Sequence, residues 1–267
     1  MIKRTSAKKS RPAVKSKVAE MRVIPVPFSG SIKPGDLLIE KLLDALRQNR
    51  LALRHGDVLV VKHKIVSKAE GRVIKLSGVI PSSNSIARAR RYNLDPRVTE
   101  LALAESKCVI RRKRGVLITE TKHGFICANS GVDVSNVDGG EHALLLPENP
   151  DASAAKLYRE LKKRLGLNIP VIISDSFGRP WREGLTEVAI GVAGIKALYD
   201  YRKQLDSHGY PLRVSMEAVA DELACAAGLV CGKLNGIPAA IVRGFAYQPG
   251  GGSSRDLLRA SHTDLFR

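Results

Sequence analysis

A mixed α/β (α+β) fold is predicted by two patterns: short continuous apolar runs, and longer segments with apolar residues at helical spacing. The runs at 58–61, 171–174 and 239–242 are typical of strands buried on both faces. The segments at 37–48 and 216–230 are typical of helices. With 267 residues and 44% hydrophobic content, the chain can bury a substantial core. Since only 4% of the residues are aromatic, Val, Ile, Leu and Ala must build that core.

The remaining elements follow in chain order. A short edge strand ended by prolines is predicted at 22–27, and the polar stretch that follows residues 58–61 and ends at Gly71 is typical of ligand contact. A helix reaching Leu165 is predicted to be capped by Asp151 or Ser153. The other expected elements are one helix at 82–108, two strands at 115–121 and 124–128 joined at Lys122 and His123, a turn at 178–182, and a glycine-rich turn at 228–236.

Positive charge is concentrated in two parts of a chain whose net charge is +18. Residues 1–22 hold eight basic side chains against Glu20 alone, so we expect a basic flexible tail at 1–21, a folded domain at 22–247 and a C-terminal extension at 248–267. The second cluster indicates either attraction of anionic substrates or nucleic acid, or a solvated helix face. It consists of Arg88, Arg90, Arg91, Arg97, Lys107 and residues 111–114.

The sequence predicts a cytoplasmic protein without a membrane span. The basic tail has no apolar core and no small-residue cleavage site, as a secretory signal would have. No run approaches the roughly 20 apolar residues of a transmembrane helix. In such a chain Cys108, Cys127, Cys225 and Cys231 are expected to be reduced, buried thiols, because they form no CxxC pair and no zinc spacing.

Two aspartates mark the predicted site. Asp133 and Asp175 each follow a short apolar run and have Ser, Asn or Gly neighbours, a setting that suits a divalent cation carrying a nucleotide phosphate. Taken singly, Asp133 also fits an Asx turn and Asp175 a helix cap. The turn at 228–236 fails as a phosphate-binding loop, because no Ser or Thr follows Lys233 and the turn comes after a helix. With no dinucleotide fingerprint either, the fold is neither a P-loop nor a Rossmann fold.

Seven strings in order resemble one family: GDVLVVKHKIVSKAEGR, HGFICANSGVDVSNV, LLPENPDASA, VIISDSFGRPWREG, VAIGVAGIKAL, VADELACAAGLVCGK and GIPAAIVRG. Over residues 22–245 the chain resembles the coenzyme F420-0:L-glutamate ligases, or gamma-glutamyl ligases. The resemblance implies an unusual two-lobed α/β fold and an intertwined homodimer. It also implies a GTP-dependent ligase that uses Mn²⁺ or Mg²⁺ with K⁺. Such an enzyme joins L-glutamate to the lactyl phosphate carboxylate of F420-0 through an acyl phosphate, and can add further gamma-linked glutamates.

The resemblance also assigns residues. It implies Asp133, Asp175 and Ser176 as metal ligands, and Asp133, Asp175 and Arg179 as catalytic residues. Lys233 departs from the family pattern, since some relatives have glutamate there, and His63 and Lys64 replace small hydroxyl residues, which leaves their roles and the number of metal ions open. The implied nucleotide contacts are Ser29, Gly30, Ser31, Ile32, His63, Lys64, Lys68, Asn136, Leu229, Val230, Cys231, Gly232, Lys233, Leu234 and Asn235.

Alternatives remain for function and for single residues. The same ligase chemistry on another phosphodiester acid is one alternative; a basic nucleic-acid-binding protein is another, although acidic residues in glycine-rich loops oppose it. Arg179, Arg182 and Arg243 are candidates for binding the anionic substrate or the leaving phosphate, or for structural ion pairs. Trp181, the single tryptophan, is more typical of a core or an interface than of a flavin-stacking platform.

Overall fold

The computed structural model describes residues 20–135 and 138–265. The predicted basic tail, except for residues 20 and 21, lies outside the described residues, and so does Asn136. Within the described part, no helix is both long enough and apolar enough to cross a membrane.

The strands confirm the three apolar runs. Those runs form β2 (Val58–Lys62), β8 (Val171–Arg179) and β12 (Ala239–Arg243). The other strands of the described chain are β1 (Arg22–Val26), β3 (Val73–Lys75), β4 (Ser106–Lys113), β5 (Val116–Thr121), β6 (Ile126–Ala128), β7 (His142–Leu144), β9 (Arg182–Ala193), β10 (Tyr199–Asp200) and β11 (Met216–Glu217).

The helices begin and end at recognisable signals. Asn149 caps the N-terminus of one helix by accepting from Ala152 N, with Pro150 at its first position, and Gly166 ends it in the left-handed region. The cap is therefore Asn149, so the prediction of Asp151 or Ser153 was wrong. The helices are α1 (Leu38–Gln48), α2 (His63–Ala69), α3 (Ser83–Tyr92), α4 (Pro96–Ala104), α5 (Pro150–Leu165) and α6 (Val219–Cys231).

A five-stranded mixed sheet forms the centre of the molecule, in the order β1-β12-β2-β8-β9. Only β2 and β8 run parallel; the other neighbours are antiparallel, and β1 is an edge strand as predicted. The sheet separates two buried apolar clusters. One contains Val61, Ile173 and residues of α1 and α5. The other contains Val60, Ile172 and residues of α6, so both faces of the central strands are covered and their runs are apolar throughout.

A second, three-stranded antiparallel sheet, β4-β5-β6, packs with α3 and α4. Here the single helix predicted at 82–108 was wrong. Asn93 ends α3 in the left-handed region, and Asp95 caps α4 through Arg97 N with Pro96 at the first helical position. Cys108 lies in β4 and is exposed, so the prediction that every cysteine is buried was also wrong. All four cysteines are free thiols.

Candidate active site

The carboxyl ends of the parallel strands β2 and β8 meet at one edge of the central sheet. Lys62, the last residue of β2, lies opposite Ser174 of β8. Asp175 follows Ser174, but β8 does not end there as predicted; it continues to Arg179 because β9 pairs with it through a hairpin turn. Asp175 is therefore held inside a strand, opposite Val188, and its position is fixed by a hydrogen-bonded ladder.

Because side chains alternate along a strand, β8 presents its polar residues to two different sides. Asp175 extends the face of Ile173, towards α2, whereas Ser174 and Ser176 extend the face of Ile172, towards α6. We call the first the Asp175 side, formed by His63, Lys64, Asp133, Ser135 and Asp175. The second is the Glu187 side, formed by Lys62, Ser174, Ser176, Glu187 and Lys233.

On the Asp175 side, His63 is the nearest partner of the central carboxylate. The His63 Nε2 atom lies 3.2 Å from Asp175 Oδ1, and Nδ1 lies 3.3 Å from Ser67 Oγ. Both side chains are buried, His63 at the first position of α2 and Ser67 one helical turn later. The backbone N–H of Ser176 also donates to Asp175 Oδ1 at 2.7 Å. The carboxylate therefore has two partners, the His63 side chain on α2 and the backbone N–H of Ser176 in β8.

Asp133 lies beside it on a loop that is anchored by its backbone. The Asp133 N–H donates to Leu144 O at 3.0 Å, and Leu144 N–H donates back at 2.7 Å. Ser135 N–H donates to Asp133 Oδ1 at 2.7 Å, which is the Asx-turn geometry considered from the sequence. Lys64 Nζ reaches Asp133 Oδ2 at 2.6 Å and Ser135 Oγ at 2.9 Å, and so joins α2 to this loop.

The pKa values of both carboxyls are lowered. For Asp175, burial acts to raise the pKa, but the charge and hydrogen bond of His63 and the N–H of Ser176 outweigh it. The charge of Asp133 also acts to raise the pKa of Asp175, and the two carboxylates are contacted by the consecutive residues His63 and Lys64. For Asp133, burial is again opposed, chiefly by the hydrogen bonds from Lys64 and Ser135, and the pKa falls below its usual range. Both groups are therefore ionised at neutral pH.

On the Glu187 side, one buried carboxylate gathers several partners. Lys62 Nζ lies 2.5 Å from Glu187 Oε1, Ser176 Oγ donates to Oε1 at 2.6 Å, and Ser174 Oγ donates to Oε2 at 2.9 Å. Burial acts to raise the pKa of Glu187, but the hydrogen bonds from Lys62 and the serines lower it overall. Glu187 is thus an ionised, fully satisfied group that fixes Lys62 and both serines.

Lys233 reaches the same group from the turn after α6, donating from Nζ to Ser176 Oγ. The helix ends at Cys231 and Gly232 follows with a φ of 61°, a conformation that favours glycine. Leu229, Val230 and Cys231 therefore belong to the last turn of α6, so the predicted turn begins later than expected. Leu229 and Leu234, on either side of Lys233, are exposed.

The predicted residues divide into those that the structure brings together and those that it separates. Asp133, Asp175, His63 and Lys64 meet on one side, whereas Ser176 and Lys233 lie together on the other. Lys68 lies one helical turn after Lys64 on α2. The remaining predicted contacts lie near the end of α2; they are Ser29, Gly30, Ser31 and Ile32. The segment that follows them is held to this helix by a hydrogen bond from Gly35 N to Ala69 O.

The arginine candidates have different positions. Arg179 and Arg182 are exposed in the hairpin between β8 and β9, and Arg179 Nη2 donates to Glu183 O at 3.1 Å. Arg243 lies at the opposite end of the sheet, where Nε and Nη2 each donate to the buried Asp57 carboxylate at 2.8 Å. Arg243 is therefore the structural ion pair and not an anion-binding residue of this site. Trp181 is exposed at the hairpin turn, so it is not a core residue.

Sequence reasoning missed Lys62, Ser174 and Glu187. A signal was present, because the acidic residue immediately before the apolar run 188–193 falls in the strand pattern and requires a buried partner. What was hidden is the β-bulge in β9: Ile173 pairs with Gly191 while Ser174 pairs with Ala189, leaving Ile190 as the extra residue. Gly191 suits this position, since a Cβ there would lie 2.4 Å from Pro150 O.

On the Asp175 side, Asp133 and Asp175 are the residues that could hold a divalent cation. Mg²⁺ is commonly held by one or two carboxylates plus substrate phosphates, and Asp133 and Asp175 are two ionised carboxylates contacted by the consecutive residues His63 and Lys64. Within residues 20–135 and 138–265, no group of three or more His, Cys, Asp and Glu side chains is arranged to hold a metal ion by itself.

Comparisons with known proteins identify the family of the chain. The family model of the F420-0:gamma-glutamyl ligases matches residues 29–244. The coenzyme F420:L-glutamate ligase of Methanocaldococcus jannaschii is 44% identical over 216 residues, which cover 80% of this chain and 86% of the relative. The enzyme of the same name from Methanothermobacter thermautotrophicus is 43% identical over 236 residues, covering 87% and 93%. That of Methanopyrus kandleri is 40% identical over 252 residues, covering 92% and 98%. The chain therefore belongs to the F420-0:gamma-glutamyl ligase family.

Proposed function

We propose that this chain joins L-glutamate to the lactyl phosphate carboxylate of coenzyme F420-0 in a GTP-dependent reaction. Its relatives carry the name coenzyme F420:L-glutamate ligase, which supports the substrates. The observation that carries the proposal is the pair of oppositely charged sides of β8. The Asp175 side has two carboxylates against the one ammonium of Lys64, and the Glu187 side has one carboxylate against the ammoniums of Lys62 and Lys233.

This division of charge matches a metal–nucleotide complex. Counting only the Asp, Glu and Lys side chains just given, the Asp175 side has a net charge of about −1 and the Glu187 side about +1. A cation is attracted to the first side and a polyphosphate to the second. Both sides lie at the edge where β2 and β8 end, where ligands of α/β proteins commonly bind.

The residues of each side then have distinct roles. Lys233 and Lys62 donate to phosphate oxygens, and Glu187 holds Lys62 in place while it is desolvated. Asp133 and Asp175 hold the divalent cation, Mn²⁺ or Mg²⁺, which when bound supplies charge compensation for the phosphate oxygens during transfer. Arg179 and Arg182, exposed on the adjacent hairpin, are positioned to bind the anionic acid substrate.

The chemistry has two steps. A carboxylate is a poor electrophile, so its oxygen first attacks the γ-phosphorus of GTP, forming an acyl phosphate and releasing GDP. The amine of L-glutamate then attacks the acyl carbon, an amide bond forms, and inorganic phosphate leaves. We include K⁺ as a further ion, a cytoplasmic homodimer as the working state, and additional gamma-linked glutamates as further products of the same two steps.

The test is a complete reaction with purified protein, GTP, Mn²⁺, K⁺, L-glutamate and F420-0, followed by mass analysis of the product. We expect a mass gain of one or more glutamyl units, with phosphate release that depends on every component. GTP binding without a product would indicate another acid substrate. A failure to bind GTP in the presence of Mn²⁺ would overturn the proposal and would favour the nucleic-acid alternative.

A further inference from the structure

A group of six basic side chains surrounds the end of the β4–β5 hairpin, away from the residues assigned above. They are Arg90, Arg91, Arg111, Arg112, Lys113 and Arg114, and we call them the arginine face. All six are exposed. In the described part of the chain none of them forms an ion pair, although their neighbours do: Arg97 pairs with Asp95, and Lys107 pairs with Glu120.

The arginine face is built around Tyr92, the last residue of α3. The guanidinium of Arg91 lies 5.4 Å from the centroid of the Tyr92 ring, and that of Arg88 lies 5.5 Å from it. Gly115, at the hairpin turn, packs so closely on the same residue that a Cβ there would lie 3.2 Å from Tyr92 Cβ. The end of α3 and the hairpin therefore form one continuous surface. Beneath it, the Nε and Nη2 atoms of Arg88 are buried without a hydrogen-bond partner.

This surface is joined to the candidate active site by two strands. Arg111 pairs with Ile118 in β5, and Ile118 pairs with Ala128 in β6, so Arg111 and Ala128 are two strand spacings apart, about 10 Å. The strand β6 packs against β8, which carries Asp175. The loop that follows β6 leads to Asp133 and is tied back to the hairpin by Leu117 N donating to Asn129 Oδ1 at 3.4 Å.

We propose that the arginine face binds the oligo-γ-glutamate tail of a growing product, an inference that rests on the proposed function. Each γ-linked glutamate leaves one free α-carboxylate, and arginine forks match carboxylates in geometry and charge. An α-linked residue spans about 3.5 Å, and a γ-linked residue spans more because its backbone has two additional carbons. A tail of a few glutamates is therefore long enough to span the distance from β6 to Arg111.

Other occupants fit this face less well. Six like charges repel a second copy of the same surface. Nucleic acid would satisfy the charge, but single-strand binding commonly uses exposed aromatic rings, and the ring of the face, Tyr92, is enclosed by arginines and Gly115. An extended chain of carboxylates needs only the array of cations that the face presents.

The test measures binding without catalysis. A fluorescein-labelled hexa-γ-glutamate is titrated with protein at low salt, without GTP, metal or F420-0, and its anisotropy is followed. The face variant carries Arg111→Gln, Arg112→Gln and Arg114→Gln. The control carries Arg159→Gln, Lys162→Gln and Lys163→Gln, which remove the same charge from exposed positions of α5. We expect a rise in Kd of about tenfold or more for the face variant and less than about twofold for the control.

A second readout is the length of the product tail. We expect the face variant to add the first glutamate at the wild-type rate but to yield shorter tails than the control. Equal weakening in both variants, no binding by the wild type, or competition by a hexanucleotide RNA but not by unlabelled peptide would each overturn the inference. Ligase activity without peptide binding would overturn the tail site alone, whereas peptide binding specific to the face would support the site even if the ligase assay failed.

Discussion

The Asp175 side and the Glu187 side are built from neighbouring residues of the same strand, yet their charge and their rigidity differ. On the Asp175 side, two carboxylates share one ammonium, and Lys64 and Asp133 are each about 30% exposed, at 29% and 32% of their side chains. On the Glu187 side, one carboxylate is 7% exposed and has Lys62 and two serines as partners. The first side can exchange its ammonium for another cation, whereas the second is already satisfied.

Under the proposed function, this difference lets one strand contact both parts of a metal–nucleotide complex. The backbone of β8 separates the two sides, so opposite charges are kept apart without a large spacing in sequence. The buried pair of Lys62 and Glu187 fixes a positive group, and the looser pair of Lys64 and Asp133 leaves room for replacement. The predictions below test whether the two sides have separate roles.

The largest effect is expected from Asp175→Asn. The substitution removes a charge from the Asp175 side but keeps the shape of the side chain, so we expect kcat to fall about 10³-fold while the melting temperature changes little. Asp44→Asn, which removes an exposed carboxylate from α1, serves as the control. Turnover in a steady-state assay near the wild-type value would show that the carboxylate is not part of the reaction.

Next in size is Glu187→Gln, which leaves the buried Lys62 without a compensating charge. Because breaking one partner of a buried ion pair is costly, we expect the free energy of unfolding to fall by about 3 kcal/mol in denaturant titrations. Glu183→Gln, in the exposed part of the same strand, should change it by less than about 0.5 kcal/mol. Equal effects of the two substitutions would contradict the structural role of Glu187.

A smaller effect is expected from Lys233→Ala, which removes an exposed cation from the Glu187 side. We expect the KM for GTP to rise about tenfold with kcat within about threefold, because the contact is made to the bound nucleotide before and during transfer. The matched control is Lys156→Ala on the exposed face of α5. An unchanged KM for GTP would place Lys233 outside the nucleotide site.

The smallest effect is a pH dependence of stability at Lys64→Met. The folded-state pKa of Asp133 is lowered, so its contribution is fully present above the unfolded value of about 4 and is lost as pH falls through the folded value. We expect the variant to be less stable by about 1 kcal/mol at pH 7, and the difference to be smaller at pH 3. Guanidinium titrations at both pH values measure this. A gap that stays constant with pH would mean that Lys64 contributes by packing alone.

The apolar runs could be predicted from the sequence because local composition determines them. Residues 58–61, 171–174 and 239–242 are buried on both faces, so no partner strand had to be known. Local composition also predicts α1. The assignment of Asp133 and Asp175 to one site depended instead on the motifs of the family resemblance. The helix predicted from 216 was wrong at its start, because Met216 and Glu217 pair with β10 and the helix begins at Val219. That pairing depends on a distant segment.

Two features of the site could not be predicted from the sequence, because they also depend on distant segments. Asp175 lies inside β8 only because β9 extends the ladder beyond Ser174, and this requires the hairpin at Trp181 to be placed. Glu187 contacts Lys62 across β8. This contact requires β8 to lie between β2 and β9, and it requires Glu187 to lie on the correct face of β9. Neither the spacing of 125 positions from Lys62 to Glu187 nor their residue types indicates the contact.

The bulge at Ile190 determines on which side of β8 Glu187 lies. On the two sides of the bulge, Ile190 and Ala193 face one apolar cluster and Ala189 and Val192 face the other, so alternation skips one step there. If β9 alternated strictly over the same residues, without the bulge, Glu187 would face the Asp175 side. Three carboxylates would then crowd one side, and Lys62 would remain alone on the other. The distribution of charge in this site thus depends on the one extra residue in β9 as much as on the identities of the charged side chains.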